Sequence, residues 1–282
     1  AAKFEIKGKD AIVSAQTGSG KTIAFGLYIS SVLLRKIERS KIHLPQVLII
    51  APTRELALQV RAELEWLYAK TKVSIASCVG GMDISRERRT LARRPEIILG
   101  TPGRLKDHIE KGSLDLSIVE IAVLDEADEM LKLGFREEIE FILGNTPKTK
   151  NTLMFSATIS KGVEKLASRY QKKALRISTI NENEQHLDIQ YKSIMVAPKG
   201  NEHAIMNILR YYDAKNALVF CSTRANVNHL TNRLHNRGFS VVALSGELTQ
   251  KERINALRSM RDGRSKVCVA TDVAARGIDL PN

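Results

Sequence analysis

The sequence has few cysteines and no long apolar run. Its three cysteines, Cys78, Cys221 and Cys268, lie far apart and form no C-x-x-C pair, which argues against a disulfide framework or a zinc site. We interpret them as small buried apolar residues. No apolar stretch approaches the roughly 20 residues that cross a bilayer, and the opening AAKFEIKGKD is too charged for the core of a signal peptide. The protein is therefore predicted to be soluble and cytoplasmic, without a membrane partner.

Aromatic residues are also scarce, and acidic residues are outnumbered by basic ones. Aromatic side chains make up 5% of the 282 residues, and we place the one tryptophan, Trp66, on the apolar stripe of its helix, so base stacking is not indicated. The formal net charge is +13. This sign favours a polyanionic partner, because each phosphate contact releases counterions. A basic surface that only keeps a protein soluble has the same charge, so composition leaves both interpretations open.

Apolar runs typical of strands alternate with helical patterns along the chain. Continuous Val, Ile and Leu runs fit strands that are covered on both faces, and parallel neighbours need helices in the crossovers between them. The predicted fold class is therefore α/β, with two parallel-sheet domains in tandem. The predicted strands are AIVSA (11–15), QVLIIAP (46–52), VSIASCVG (73–80), EIILGTP (96–102), IAVLD (121–125), TLMFSAT (152–158), ALRIS (174–178), IQYKSIMV (189–196), ALVFCST (217–223), SVVALSG (240–246) and KVCVATD (266–272).

A polar stretch interrupts this alternation and is the best linker candidate. It lacks aliphatic residues apart from Ile180, and such stretches are typical of loops. We therefore expect a first domain over 1–178, a linker over 179–186 and a second domain over 187–282. The sequence stops at GIDLPN, directly after a strand and its loop, so the second domain is expected to be incomplete at its C-terminus.

The first predicted strand leads into AQTGSGKT, which resembles a phosphate-binding loop. Its glycines permit a tight turn whose backbone N–H groups surround phosphate oxygens, and the following helix adds the positive end of its dipole. Lys21 is expected to reach the β- and γ-phosphates of ATP, and Thr22 to place its hydroxyl on Mg²⁺. The general pattern has glycine at Ala15, and the alternative is a glycine-rich turn with a surface lysine. The predicted nucleotide-binding residues are Ala15, Gln16, Thr17, Gly18, Ser19, Gly20, Lys21 and Thr22.

The fifth predicted strand ends in LDEAD, a cluster of carboxylates in a basic chain. At the edge of a nucleotide-binding sheet, Asp125 is expected to bind the same Mg²⁺ as Thr22, since a metal ion offsets the repulsion between carboxylates. Glu126 is expected to orient or deprotonate the attacking water, which makes Lys21, Asp125 and Glu126 the predicted catalytic residues. Asp128 has two interpretations: it couples the nucleotide to neighbouring loops, or it is an ordinary acid at a helix N-terminus.

Taken in order, the motifs AQTGSGKT, APTRELALQ, GG, TPGR, LDEAD, SAT, LVFCSTR and ATDVAARGID resemble those of a DEAD-box RNA helicase. The resemblance covers nearly the whole chain and implies two RecA-like domains that close over ATP and single-stranded RNA and separate short duplexes. The compact loops suggest a bacterial protein of the cold-shock or ribosome-assembly type. The resemblance also implies that Ser156 and Thr158 link the nucleotide state to RNA binding. Without the resemblance, we would interpret these two hydroxyls as a polar strand end.

The resemblance further implies contacts to the RNA backbone in both domains. Thr53 has a second interpretation as a helix N-cap, and Arg253, in a Q-x-x-R element with Gln250, has one as a solvated charge. The implied RNA-binding residues are Pro52, Thr53, Arg54, Gly80, Gly81, Thr101 and Arg104 in the first domain and Arg224, Gly246, Thr271, Asp272 and Arg276 in the second, while Asp279 is implied to reach the ribose of the nucleotide.

Some features depart from the family pattern. Ser245 stands where many members have histidine, and neither the adenine-reading motif nor the arginine-rich final motif is present. We therefore expect this segment to hydrolyse ATP poorly, because the arginines that stabilise charge on the transferred phosphoryl group are missing. Protein or ribonucleoprotein partners would act through the missing tails. We interpret the arginine cluster at 86–94, which is not among the family's motifs, as a solvated helix face.

Two functions fit these motifs. The first is an ATP-dependent RNA helicase that binds the backbone of single-stranded RNA and separates short duplexes with ATP hydrolysis. The second is an ATP-gated RNA clamp or assembly scaffold that holds RNA without productive unwinding. A DNA translocase fits less well, because DEAD, SAT and PTREL occur together.

Overall fold

Short runs of Val, Ile and Leu form two parallel sheets in the structure, a computed structural model that describes residues 8–15, 19–36, 44–179, 189–198 and 200–275. Contacts divide the chain into two compact units, Ala1–Asn183 and Glu184–Asn282. The α/β class predicted from the alternation is confirmed. The domain and linker boundaries proposed from the sequence stay a prediction.

The first unit contains a seven-stranded sheet whose described neighbours all pair in parallel, in the order β3-β4-β2-β5-β6-β1-β7. Chain order and sheet order differ because each parallel pair needs a crossover, and helices fill the crossovers. The strands are β1 (Ala11–Ser14), β2 (Val47–Ile50), β3 (Ile75–Cys78), β4 (Ile97–Gly100), β5 (Ile121–Leu124), β6 (Asn151–Ser156) and β7 (Leu175–Ser178). The helices are α1 (Lys21–Lys36), α2 (Arg54–Leu67), α3 (Ile84–Leu91), α4 (Pro102–Glu110), α5 (Ala127–Lys132), α6 (Arg136–Gly144) and α7 (Lys161–Tyr170).

Both faces of this sheet are buried. Alternate residues of β2 point to opposite sides, so that Val47 and Ile49 pack in one apolar cluster with α1 and α2, while Leu48 and Ile50 pack in the other. All four are fully buried. A strand covered on both faces has no polar side, which is why its sequence is a continuous apolar run.

The second unit contains a three-stranded parallel sheet in the order β8-β10-β9. The middle strand is fully buried and packs between two small apolar clusters. The strands are β8 (Ala217–Phe220), β9 (Val241–Leu244) and β10 (Val267–Ala270), and the helices are α8 (Asn201–Tyr212), α9 (Arg224–His235), α10 (Gln250–Arg261) and α11 (Asp272–Ala275).

Two expectations from the sequence are wrong. The stretch 189–196 forms no strand and its side chains are exposed, because no described strand pairs with it and a lone strand leaves its backbone groups without ladder bonds. Trp66 is 72% exposed. The buried stripe of α2 runs through Leu56, Val60 and Leu64 at four-residue spacing, and a residue two positions beyond Leu64 lies on the opposite side of the helix.

Candidate functional site

The predicted site residues of the first unit collect at the carboxyl edge of its sheet and fall into two neighbouring groups. The loops after β1, β5 and β6 carry the residues predicted for the nucleotide, and these strands are adjacent in the sheet. The loops after β2, β3 and β4 carry those predicted for RNA, and these strands are adjacent as well. Ligands of open parallel sheets bind at this edge, because loops and helix N-termini converge there.

Lys21 and Asp125 form the centre of the first group. Lys21 begins α1, and its Nζ lies 3.8 Å from Oδ1 of Asp125. Both residues are buried, at 9% and 2% exposed. The ammonium makes no hydrogen bond to any described residue, although buried cations are normally paired and hydrogen-bonded. The pair therefore has unused capacity for an anionic group.

Burial sets the protonation of Asp125. Removal from water raises the pKa of this carboxyl to about 6, an effect that Lys21 opposes and Glu126 reinforces. Thr22, the predicted second Mg²⁺ ligand, is also buried, at 8% exposed. A buried carboxylate and hydroxyl are the oxygen ligands that Mg²⁺ takes in proteins, and the cation would remove the cost of ionising Asp125. The donor set thus fits a magnesium ion.

Only part of the predicted phosphate-binding loop lies within the residues that the structure describes. Ala15 is buried and its backbone N–H donates to the Ser156 carbonyl at 3.1 Å, which ties the loop to the end of β6. Gly20 has φ +77° and precedes α1, in the left-handed region that favours glycine. Ser19 is exposed. The predicted residues Gln16, Thr17 and Gly18 lie outside the described residues.

Glu126 has a strained backbone. It is the N-cap of α5 with φ 52° and ψ 53°, and its N–H donates to Oδ1 of Asp125 at 3.1 Å. A left-handed conformation costs a residue with a side chain about 1–2 kcal/mol. Such strain persists where surrounding structure requires it, often at functional sites. Exposed Arg94, Lys173 and Asp213 also have positive φ, so this conformation fixes Glu126 beside Asp125 but does not by itself mark a functional residue.

Asp128 is hydrogen-bonded to the loop after β6. Its Oδ2 accepts from the Thr158 hydroxyl at 2.7 Å and from the Thr158 N–H at 3.1 Å, and its own N–H donates to Oγ of Ser156 at 3.3 Å. The hydroxyls of Thr158 and Ser156 hold the pKa of Asp128 below its usual value, although burial acts in the opposite direction. The structure thus joins by hydrogen bonds the three residues predicted for coupling, and their coupling role stays a prediction.

The second group is centred on Arg54 and the glycines after β3. Gly81 has φ +74°, and a Cβ built there would lie 2.8 Å from Cζ of Arg54, so a residue with a side chain would be strained and would push this guanidinium aside. Thr53 is the N-cap of α2 and accepts from Leu56 N. Its hydroxyl therefore has a structural role, one of the two that its sequence allows. Pro52 is buried and Gly80 half-buried beside them.

Two residues that the sequence did not point to hold Arg104. The guanidinium donates to Oε2 of Glu87 at 2.8 Å, and Nε2 of His108 lies 2.8 Å from the same oxygen. Oε1 of Glu87 accepts from the Val79 N–H at 3.0 Å. Glu87 and His108 are buried. Thr101, the N-cap of α4, makes no side-chain capping bond.

Cys78, Glu87 and His108 also have the residue types of a metal site, with ligand atoms within 4.8 Å of one another. Both carboxylate oxygens of Glu87 already accept from N–H groups, however, and the Arg104 cation is paired with it. Burial, reinforced by the charge of Glu87, raises the pKa of the Cys78 thiol to about 12, which disfavours the thiolate that binds metals. The cluster is best explained as a hydrogen-bonded support for Arg104.

In the second unit the predicted residues lie at the carboxyl ends of the three strands. Arg224 begins α9, contacts Glu247 at 3.8 Å and lies near Gly246, where an added Cβ would be 3.3 Å from its Nη2. Thr271 accepts from the Ala274 N–H, and Asp272 begins α11 and is exposed. Arg276 and Asp279 lie outside the described residues.

The structure adds to the sequence interpretation of two further residues near these strand ends. Ser245, which departs from the family pattern, is buried at 4% exposed. Arg253 donates to the Ala274 carbonyl, so it is not merely a solvated charge. Its neighbour in the Q-x-x-R element, Gln250, begins α10.

The described helices include none that is long and apolar enough to cross a membrane. Comparison with sequence families then decides the identity of the chain. The DEAD/DEAH box helicase model matches residues 1–166, and the model of the helicase conserved C-terminal domain matches residues 200–282. The chain belongs to the DEAD/DEAH box helicase family. This confirms the resemblance predicted from the motifs.

Bacterial members of this family are similar over nearly the whole chain. The DEAD-box ATP-dependent RNA helicase CshA of Bacillus cereus is 42% identical over 275 residues, which is 98% of this chain and 51% of the relative. The ATP-dependent RNA helicase CshA of Listeria monocytogenes is 41% identical over 98% of the chain and 52% of its own length. The helicase chain thus spans about half the length of these curated relatives.

Solved helicase structures share the fold. Mss116p, bound to ssRNA and AMP-PNP, matches with a TM-score of 0.85 and 32% identity over 98% of this chain and 59% of its own. A DEAD box protein from Methanococcus jannaschii matches with a TM-score of 0.56 and 34% identity over 97% of this chain and 72% of its own. The two parallel-sheet domains are therefore RecA-like domains in tandem.

Proposed function

We propose that this chain is the ATP- and RNA-binding part of an ATP-dependent RNA helicase that separates short duplexes locally. The observation that carries the proposal is the buried pair of Lys21 and Asp125, 3.8 Å apart, whose ammonium has no hydrogen bond to a described residue. A triphosphate supplies the anionic partner that the Lys21 ammonium lacks, and its bound cation supplies a partner for the Asp125 carboxylate. The similarity to Mss116p, solved with ssRNA and AMP-PNP, supports the same ligand classes.

In this proposal Lys21 binds the β- and γ-phosphates of ATP, and the N–H groups at the start of α1 bind further oxygens. Thr22 and Asp125 hold Mg²⁺, which supplies charge neutralisation on the phosphate oxygens. Glu126, fixed by its strained backbone beside Asp125, orients the attacking water and accepts its proton. Phosphoryl transfer needs mainly positioning and charge stabilisation, and these residues provide both.

RNA binding is proposed to use the loops after β2, β3 and β4. Arg54 and Arg104 are guanidiniums suited to forked contacts with phosphate, and Gly80 and Gly81 let a backbone approach closely. Arg104 is already oriented by Glu87 and His108. Such contacts position a strand without reading its bases, so little sequence preference is expected. The second unit contributes Arg224, Gly246, Thr271, Asp272 and Arg276.

Nucleotide and RNA binding are proposed to be coupled through Asp128, Ser156 and Thr158. Their hydrogen bonds join the loop that holds Asp125 and Glu126 to the end of β6. A change at the phosphates would shift this loop, and the bonded network passes the shift on. Several points stay predictions: contact of Asp279 with the ribose, further protein partners, weak ATP hydrolysis by this segment, a cold-shock or ribosome-assembly role and a cytoplasmic location.

Two variants and one control variant test the proposal. Lys21→Ala is expected to lose binding of a fluorescent ATP analogue, whereas Glu126→Gln keeps ATP and RNA binding and loses RNA-stimulated hydrolysis. Lys161→Ala is the matched control, because Lys161 also begins a helix but is exposed. Equal nucleotide binding by Lys21→Ala and the wild type would contradict the proposal.

A second measurement separates the helicase from an RNA clamp. Duplex release and the lifetime of RNA-bound protein are followed with this chain in the presence of ATP. Strand release coupled to hydrolysis supports the helicase. Long retention of RNA without strand release would favour the clamp.

A further inference from the structure

The outward side of α3 carries arginines and no acid. Arg86 and Arg89 are exposed three positions apart on the helix, and Arg93 follows in the turn after it, also exposed. Residues at i, i+3 and i+7 lie on one side of a helical trace. Glu87, the acid of α3, is buried against Arg104 and His108 on the other side with Leu91. We call Arg86, Arg89 and Arg93 the α3 arginine row.

Several charges on other helices of the first unit are paired within their own helix. Arg61 lies 2.7 Å from Glu65, Arg136 lies 3.9 Å from Glu140, and Lys111 and Asp107 lie 2.5 Å apart. Within the described part of the chain, the α3 arginine row makes no ion pair with a carboxylate. Like charges at i, i+3 and i, i+4 destabilise a helix by about 0.2–0.5 kcal/mol per pair. The row therefore keeps its full positive charge at a cost in helix stability.

The row begins beside the residues proposed to bind RNA. The loop of Gly80 and Gly81 leads directly to Asp83, the N-cap of α3, and Arg104 donates to the Met82 carbonyl at 3.3 Å. Eight helical residues extend about 12 Å from this loop. The sequence favours a solvated face because the arginines are spread around the helix. The inward position of Glu87 changes this interpretation, since the outward residues of α3 itself then carry charge of one sign. The exposed Asp83 at the N-cap is the one acid between the row and the loop.

We propose that the α3 arginine row binds backbone phosphates of single-stranded RNA beyond the nucleotides that contact the loops after β2, β3 and β4. The proposal rests on the RNA-binding function proposed above and extends its footprint. Guanidiniums form forked hydrogen bonds to phosphate oxygens. No aromatic residue occurs between 82 and 95, so the row reads charge and not base identity. Its contribution should depend on RNA length and on salt.

The test compares two triple variants of the full 282-residue chain. Arg86→Gln/Arg89→Gln/Arg93→Gln removes the row. Lys148→Gln/Lys172→Gln/Lys173→Gln removes the same charge from exposed lysines next to the amino ends of β6 and β7, at the opposite edge of the sheet. Binding of single-stranded RNAs of about 8 and about 25 nucleotides is measured by fluorescence anisotropy with AMP-PNP across a salt series.

The row variant is expected to bind the short RNA as the wild type does and to bind the long RNA about fivefold more weakly. The slope of log affinity against log salt should fall by about 0.7 for each lost phosphate contact. Its melting temperature should not decrease, because like-charge repulsion in α3 is relieved. Long-RNA affinity and slope equal to the wild type, or an equal loss in the lysine variant, would overturn the inference. Failure of the wild type to bind even the short RNA would instead overturn the proposed function.

Discussion

The Thr158 hydroxyl donates a 2.7 Å hydrogen bond to the Asp128 carboxylate, across 30 residues of sequence. This bond joins the start of α5 to the loop after β6, next to the Ser156 hydroxyl that accepts from Asp128 N–H. Neither residue touches Lys21 or Asp125 in a described hydrogen bond. The contact is therefore suited to transmit a change at the phosphates and not to bind them.

Thr158→Val is predicted to uncouple RNA from ATP hydrolysis. Valine keeps the shape of the side chain and the backbone N–H bond to Asp128, but it removes the hydroxyl donor. RNA stimulation of ATP hydrolysis is expected to fall about tenfold, with binding of each ligand close to the wild type. Steady-state ATPase rates against RNA concentration measure this, with Ser168→Ala, an exposed hydroxyl on α7, as the control. A loss of ATP binding itself would show that the bond is structural.

Gly81→Ala is predicted to weaken both the fold and RNA binding. A residue with a side chain at φ +74° is strained by about 1 kcal/mol, and the new Cβ displaces the Arg54 guanidinium. Gly112→Ala is the matched control, because Gly112 has φ +66° and nothing within 4 Å of an added Cβ. Both variants should lose similar free energy of unfolding in urea, and only Gly81→Ala should lose RNA affinity. If the two variants bind RNA equally well, Arg54 is not part of the RNA site.

Glu126→Gly is predicted to gain stability and lose activity. Glycine relieves the left-handed strain, so the free energy of unfolding should rise by up to about 1 kcal/mol while ATP hydrolysis is lost. Lys173→Gly, at φ 49°, should give a similar gain with hydrolysis unchanged. Urea unfolding and ATPase assays on both variants provide the comparison. Normal hydrolysis by Glu126→Gly would rule out a role for this carboxylate in positioning water.

Glu87→Gln is predicted to be strongly destabilising. The carboxylate accepts from Val79 N–H, Arg104 and His108. In glutamine an NH₂ group replaces one of the two accepting oxygens and faces these donors without being able to accept from them. The expected loss is about 3 kcal/mol of unfolding free energy, since the buried side chain at position 87 then no longer pairs with the half-buried Arg104 cation. Glu110→Gln, which removes a half-exposed pair with Lys106 at 3.9 Å, should cost under about 1 kcal/mol. If the two variants unfold at the same urea concentration, the network does not support Arg104.

The cysteines are predicted to differ in reactivity. Burial raises the pKa of Cys78 to about 12 and that of Cys268 to about 11, and neither side chain is exposed. Since the thiolate is the reactive form, both should resist alkylation at neutral pH. Cys221 is half-buried and should react first, although burial raises its pKa too. Mass spectrometry after brief iodoacetamide treatment, with and without urea, tests the order.

The nucleotide group could be predicted because its geometry follows from local patterns. Apolar runs indicated parallel strands, and parallel strands bring their carboxyl ends to one edge. Lys21 and Asp125 follow two such strands and are found 3.8 Å apart. The strained backbone of Glu126 was not predictable, since a residue type does not report the φ that its surroundings impose.

Other features depend on contacts between elements. The support of Arg104 by Glu87 and His108 needs β3 and β4 to be neighbours, which places α3 and α4 side by side. The run 189–196 has strand-like composition but no described strand as a partner, and strand formation depends on pairing. Trp66 was wrongly assigned to the apolar stripe of α2, because helical periodicity does not by itself show which side of the helix faces the core.

The sequence by itself determined the chemistry: a lysine in a glycine-rich loop, carboxylates after a buried strand, and arginines and glycines after others. Periodicity and turn residues are local patterns, so they can be recognised in the sequence before the fold is known. The tertiary structure decided which of these groups meet, which are strained, and which face of α3 carries unpaired charge. Those outcomes depend on strand order and burial, which arise only when distant segments pack together.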